Sequence, residues 1–268
     1  MRVEARDDSS MQVQAMLDRS YRCGTLAPLF AYPEPGQSEA LYRSLATFMT
    51  RWDAEEGEAR RALAAFVSAW DDGEGEALRA EYARLFLGRT PCPLHSAAYG
   101  SAGMLAGPSA ELADVSGFYQ AFGIDVREDA PERPDHLAVQ LEFYATLLAK
   151  EAYACFNGWS ERESVTRDAA RDFLNDHLGR WQGALTARLV RNDAASPFPE
   201  AARWLDRFLE RECRVRDVVP RPFGEPVDDH MQSDCLVCPD KGSGKSQVSS
   251  GKESHPYPGS LPEGEGGV

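Results

Sequence analysis

The sequence points to an all-α protein, a single globular helical domain of about nine or ten helices over residues 1–216, with an irregular tail over 217–268. Three observations carry this. Ala and Leu number 36 and 24 against 15 Val and a single Ile, Ile124, whereas strands favour β-branched side chains. Apolar residues recur at three- and four-residue spacing through most of the body, the period of a helix burying one face. No run alternates with a period of two, and nothing repeats at a fixed length.

Each helix has its own punctuation. Ser9 or Ser10 is placed to cap a first helix carrying Met16, Leu17, Tyr21 and Leu26, interrupted at Pro28 and closed by Pro33, Pro35 and Gly36. Ser38 opens a second with Leu41, Leu45, Phe48 and Met49 on one face. Residues 60–70 repeat the pattern before the break at 71–75, and 76–87 form a fourth helix. Pro91 and Pro93 stand too close together for any helix to pass through 88–94. A short helix is expected over 96–105, and Ser109 is expected to cap another over 111–122, which Gly123 ends. After an acidic, proline-flanked loop at 124–134 comes 135–156, whose stripes Leu137, Leu141, Tyr144, Leu148 and Val139, Phe143, Leu147 mark it as central. Ser160 caps a helix to about 178, 181–190 gives another, and Pro199 suits the first turn of the last, 199–216. Beyond it, 22 of the 52 residues are Pro, Gly or Ser, too few apolar groups to repay ordering.

Composition excludes several functions. The net charge is -14 and no Lys/Arg block occurs, so nucleic acid is not an expected partner. No stretch approaches the ~18 to 20 apolar residues of a membrane span, and the charged start does not resemble a secretory signal. A cytoplasmic location follows as the expectation, with the six cysteines reduced.

No catalytic constellation stands out; HExxH, GxSxG and GxGxxG are missing. Residues 241–246 end like a P-loop, but Pro239 holds the place of the first glycine and no strand precedes it. Cys235 and Cys238, with His230 and Cys213 as conceivable further ligands, could be free thiols, a zinc or iron–sulfur site, or a redox pair. That spacing supports an alternative function, a metal or iron–sulfur accessory protein.

Two segments carry more information. One is Glu81-Tyr82-Ala83-Arg84-Leu85-Phe86-Leu87-Gly88, followed by Pro91-Cys92-Pro93-Leu94-His95-Ser96 and Tyr99; the other is Glu132-Arg133-Pro134-Asp135-His136 leading into Leu137. Each is a proline-ordered loop against a helix end. Asp135 at a helix start can accept backbone N–H bonds, and His136 beside that positive end should lean towards neutral. Leu105-Ala106-Gly107, Phe118-Tyr119 with Gly123, and Phe173-Leu174 with His177-Leu178 and Trp181 follow in order.

Together these strings resemble the signature of the TorD, DmsD and NarJ family of molybdoenzyme maturation chaperones, over about 24–216. Their arginine-rich style is similar to the subgroup serving type II enzymes of the dimethyl sulfoxide reductase group. His95 stands where many relatives carry an acidic residue. The resemblance implies an all-helical protein without catalysis or cofactor of its own, monomeric or homodimeric. It implies binding of the twin-arginine signal peptide or N-terminal segment of a molybdopterin oxidoreductase precursor during cofactor insertion. An acidic protein complements such a basic, apolar leader. The residues expected to bind it are Pro134, Asp135 and His136 on one groove edge and Tyr82, Ser96 and Tyr99 on the other, with Asp135 accepting from a peptide arginine.

Overall fold

The most apolar stretch of the sequence makes the central helix. In the computed structural model, which describes residues 2–35, 38–49, 57–71, 75–100, 107–124, 132–192 and 196–223, helix α7 spans Leu137–Phe156. Its stripes pack against α1 (Arg2–Leu26) on one side and α8 (Ser160–Asp176) on the other. Among the described residues the remaining α-helices are α2 (Ser38–Met49), α3 (Gly57–Asp71), α4 (Glu76–Phe86), α5 (Ala97–Gly100), α6 (Gly107–Ala121), α9 (Gln182–Arg191) and α10 (Phe198–Arg216). The all-α expectation holds. By backbone contacts the chain divides into 1–227 and 228–268; the second part, with Cys235, Cys238, His230 and the P-loop-like string, lies outside the described residues.

Several ends differ from expectation. Helix α1 starts at Arg2, because nothing in the preceding turns breaks it and propensity carries the helix past Ser9 and Ser10. Helix α6 starts at Gly107 with Pro108 in its first turn, so Ser109 lies inside it. Trp159, not Ser160, occupies the position before α8 and gives no side-chain cap. The 96–105 helix is a single turn, with 101–106 outside the described residues. Where α3 gives way to α4, Gly75 adopts φ 75° and a Cβ there would stand 2.5 Å from the Trp70 ring, so both backbone and space demand glycine.

Long-range ion pairs lock the central helices. Glu212 of α10 is 2% exposed, takes both Arg19 nitrogens at 2.7 and 2.6 Å, and accepts from the Tyr144 hydroxyl at 2.8 Å. Glu151 of α7, also 2% exposed, accepts from Arg216 at 2.5 Å and Arg167 at 3.1 Å. Each buried carboxylate is thus paired and hydrogen-bonded, the condition under which its desolvation is offset. Past α10, Asp217 turns the chain with φ 52°, and Phe223 donates its N–H to the Arg180 carbonyl at 2.8 Å while the Arg180 guanidinium covers its ring.

Candidate functional site

The two proline-ordered segments meet edge to edge. An isolated antiparallel bridge joins His95 to His136: Leu137 donates its N–H to the Leu94 carbonyl at 2.8 Å, and Ser96 donates to the Asp135 carbonyl at 3.0 Å. Pro91, Pro93 and Pro134 have no N–H to offer, so the pairing falls on the residues between them. Gln140 ties the corner to the core, donating to the Asp135 carbonyl at 3.1 Å and accepting from the Trp181 indole at 3.4 Å.

This pairing corrects the expected groove: among the described residues the corners touch rather than stand apart. Tyr82, Ser96, Tyr99, Asp135 and His136 are each no more than 3% exposed, and Pro134 is half-buried. The tyrosine hydroxyls are spent inside, Tyr82 donating to the Phe30 carbonyl at 3.2 Å and Tyr99 to that of Pro93 at 2.9 Å. Tyr82 packs with Phe86 and Phe198.

Asp135 does not cap α7. The cap is His136, whose Nδ1 accepts from the Ala138 N–H at 3.2 Å; burial, then the neighbouring His95, pushes its pKa down to about 3, which keeps that lone pair free. The Asp135 carboxylate crosses instead to the opposite corner. It accepts from the Ala97 N–H at 3.4 Å, meets Arg133 at 3.1 Å through two nitrogens, and lies 3.4 Å from His95 Nδ1. Burial pushes this carboxyl up, but the bond and charge of His95, the Arg133 charge and the Ala97 N–H outweigh it and hold the pKa below the usual value. Arg133 is itself 54% exposed, so an arginine-sized path connects solvent to a fully buried carboxylate.

Sequence reasoning missed Glu111. It is 5% exposed, accepts from the Ser96 hydroxyl at 3.1 Å, and lies 3.1 Å from Nδ1 of the buried His177. The signal was a carboxylate on the apolar stripe of Val115 and Phe118, since such a group is buried only with partners. Cys92 is buried between the corner prolines, and burial raises its thiol to about 11.

A larger concavity of about 1090 Å³ lies where α1 crosses the C-terminal half of α7, lined by Val13, Leu17, Ala149, Lys150, Tyr153 and Phe156 among others. Three of its apolar side chains face solvent, Leu17 at 42%, Tyr153 at 61% and Phe156 at 75%. Positions 139, 142, 146, 149, 153 and 156 recur at three- and four-residue spacing, so one face of α7 runs from the corner to this groove. Among the described residues no group of three or more His, Cys, Asp or Glu is placed to hold a metal ion.

The nitrate reductase delta subunit family profile matches residues 50–187, which include both corner segments. The chain is 40% identical over 84 residues to the selenate reductase assembly chaperone protein of Thauera selenatis, covering 31% of this chain and 42% of that protein. It is 29% identical over 140 residues to the chaperone protein TorD of Vibrio cholerae serotype O1, covering 52% and 61%. It is 37% identical over 78 residues to the chlorate reductase assembly chaperone protein of Ideonella dechloratans, covering 29% and 39%. The chain thus spans about half the length of the curated relatives it matches.

Proposed function

Given that this chain belongs to the nitrate reductase delta subunit family, that of TorD and NarJ, we propose that it is an assembly chaperone rather than an enzyme. Its client is the catalytic subunit of a molybdopterin-dependent reductase. It holds the twin-arginine leader or N-terminal segment of that subunit in the cytoplasm while cofactor is inserted. Support comes from relatives named as assembly chaperones of selenate reductase and chlorate reductase.

The observation that carries this reading is the buried Asp135 carboxylate reached by the exposed Arg133 guanidinium. A client arginine takes the place of Arg133, because a planar fork bonds a carboxylate through two nitrogens while lysine offers a point charge. Ala97 and His95 hold the carboxylate in position, Ser96 pins the Asp135 backbone, His136 caps the helix beside it, Tyr99 braces Pro93, Pro134 forms the rim, and Tyr82 packs behind. The apolar stretch of the leader then follows the exposed face of α7 towards the groove at Leu17, Tyr153 and Phe156. Helix α7 has 20 residues, about 30 Å, the length of face it offers to the leader. Apolar burial, roughly 1.5 to 3 kcal/mol per large side chain, supplies most of the affinity; the exposed-side ion pair supplies roughly 0 to 1 kcal/mol and the choice of partner.

Fluorescence anisotropy with a leader peptide and its Lys-Lys counterpart tests this. The arginine peptide binds more tightly to the native chain and the two bind alike to Asp135→Asn. Equal affinity of both peptides for the native chain would count against arginine recognition here.

A further inference from the structure

We propose that residues 218–223 are a strap whose docking on the turn Leu178–Arg180 sets the geometry of the Asp135 corner, so that strap and turn position the carboxylate for its client arginine. Only that last step rests on the chaperone reading of the site. Asp217 ends α10 in the left-handed region at φ 52°, a shape aspartate tolerates, and redirects the chain. Pro220 then packs on Gly179, where a Cβ would stand 2.5 Å from the Leu174 carbonyl and 2.6 Å from the proline ring, so the contact demands glycine. Phe223, 7% exposed, closes the strap. Arg180 holds it three ways: its carbonyl accepts from the Phe223 N–H at 2.8 Å, its Nε donates to the Arg221 carbonyl at 3.0 Å, and its guanidinium lies 3.9 Å from the Phe223 ring centroid.

The two residues flanking this turn lead back to one atom. After it, the Trp181 indole donates to Gln140 at 3.4 Å, and the Gln140 amide donates to the Asp135 carbonyl at 3.1 Å. Before it, His177 Nδ1 lies 3.1 Å from Glu111, which accepts from the Ser96 hydroxyl at 3.1 Å. The Ser96 N–H then donates to the same Asp135 carbonyl at 3.0 Å. Trp181, Gln140, His177, Glu111 and Ser96 are each no more than 5% exposed, so water does not replace a lost partner and a shift at the turn is taken up at the corner. The Asp135 carboxylate meets Ala97 and His95, the neighbours of Ser96, so a displaced Ser96 turns the carboxylate as well. A guanidinium fork needs both carboxylate oxygens aligned, whereas an ammonium does not. Loosening the strap therefore costs the preference for arginine before it costs binding.

The test is amide hydrogen exchange of the full chain by NMR, joined to anisotropy with the arginine leader peptide and its Lys-Lys counterpart. The proteins compared are the native chain, Phe223→Ala, Phe223→Tyr, which keeps a ring for Arg180, and Val219→Ser, at a strap position 92% exposed. In Phe223→Ala the Ser96 and Leu137 amides exchange about fivefold faster relative to that of Leu205, buried in α10, the effect of one lost hydrogen bond. The arginine peptide loses about fivefold of its advantage over the lysine peptide, and Phe223→Tyr and Val219→Ser match the native chain. Unchanged exchange at Ser96 and Leu137, or a rise that Leu205 shares equally, overturns the proposal whatever the peptides do. So does faster exchange with the arginine advantage intact. Faster exchange in a protein whose native form never preferred arginine supports the strap's hold on the corner and overturns the arginine reading instead. Should Phe223→Ala lose its helical circular dichroism, Arg180→Met, which keeps the stem but not the bond to Arg221, is read by the same criteria.

Discussion

Replacing Glu212 by Leu removes one side chain and strands two partners. Arg19, whose side chain is 17% exposed, loses both of its carboxylate bonds, and the buried Tyr144 hydroxyl loses its acceptor. Breaking a buried pair in this way costs ~3 to 5 kcal/mol; the residual exposure of Arg19 lets water reach it and places the loss near ~3 kcal/mol. For a domain of this size that lowers Tm by roughly 6 to 12 °C, measured by calorimetry and checked by urea unfolding. The double variant Arg19→Met/Glu212→Leu has no stranded charge and recovers most of the loss. A cost below ~1 kcal/mol for Glu212→Leu, or a double variant weaker than the single, would refute the assignment of this pair as the clamp between α1 and α10. The same clamp holds α1, whose Leu17 lines the α1/α7 groove.

Tyr153→Ser/Phe156→Ser removes apolar surface already in solvent. It leaves Tm unchanged but weakens leader binding about tenfold, read by anisotropy; unchanged affinity removes the groove from the peptide path. His136 is neutral when folded, with a pKa near 3 against 6.5 unfolded, so the unfolded chain binds the extra proton between these values. Stability is therefore full above about 6.5 and declines as pH falls towards 3. His136→Asn keeps a capping acceptor and flattens that decline in urea titrations; an identical slope in both proteins contradicts the burial of a neutral imidazole.

Helix α7 was legible because a strong apolar pattern over 137–156 leaves few alternatives, and α10 because Pro199 marks its first turn and its amphipathic face is continuous. Serines misled at Ser9, Ser109 and Ser160: a residue able to cap is equally able to sit one or more positions inside, and backbone propensity decides. The corner geometry was only half legible. Prolines told where the loops stiffen, but nothing local says that Leu94 and Leu137 exchange a backbone bond, or that Asp135 turns away from the helix it precedes. The clamps Arg19–Glu212 and Arg216–Glu151 span 193 and 65 residues, distances over which a single sequence carries no pairing signal. Exposure of Leu17, Tyr153 and Phe156 was hidden for a related reason. A stripe reads the same whether or not another element covers it.

Because Arg133 occupies the carboxylate that a client arginine needs, removing it should help the client. Leader-peptide affinity measured side by side for Arg133→Ala and Asp135→Asn decides the matter. Freed of a competitor held by ~1 kcal/mol, Arg133→Ala binds about fivefold more tightly, while Asp135→Asn binds more weakly than the native chain. Weaker or unchanged binding by Arg133→Ala, with Asp135→Asn unaltered, would mean the paired corner is scaffold and the leader is held elsewhere.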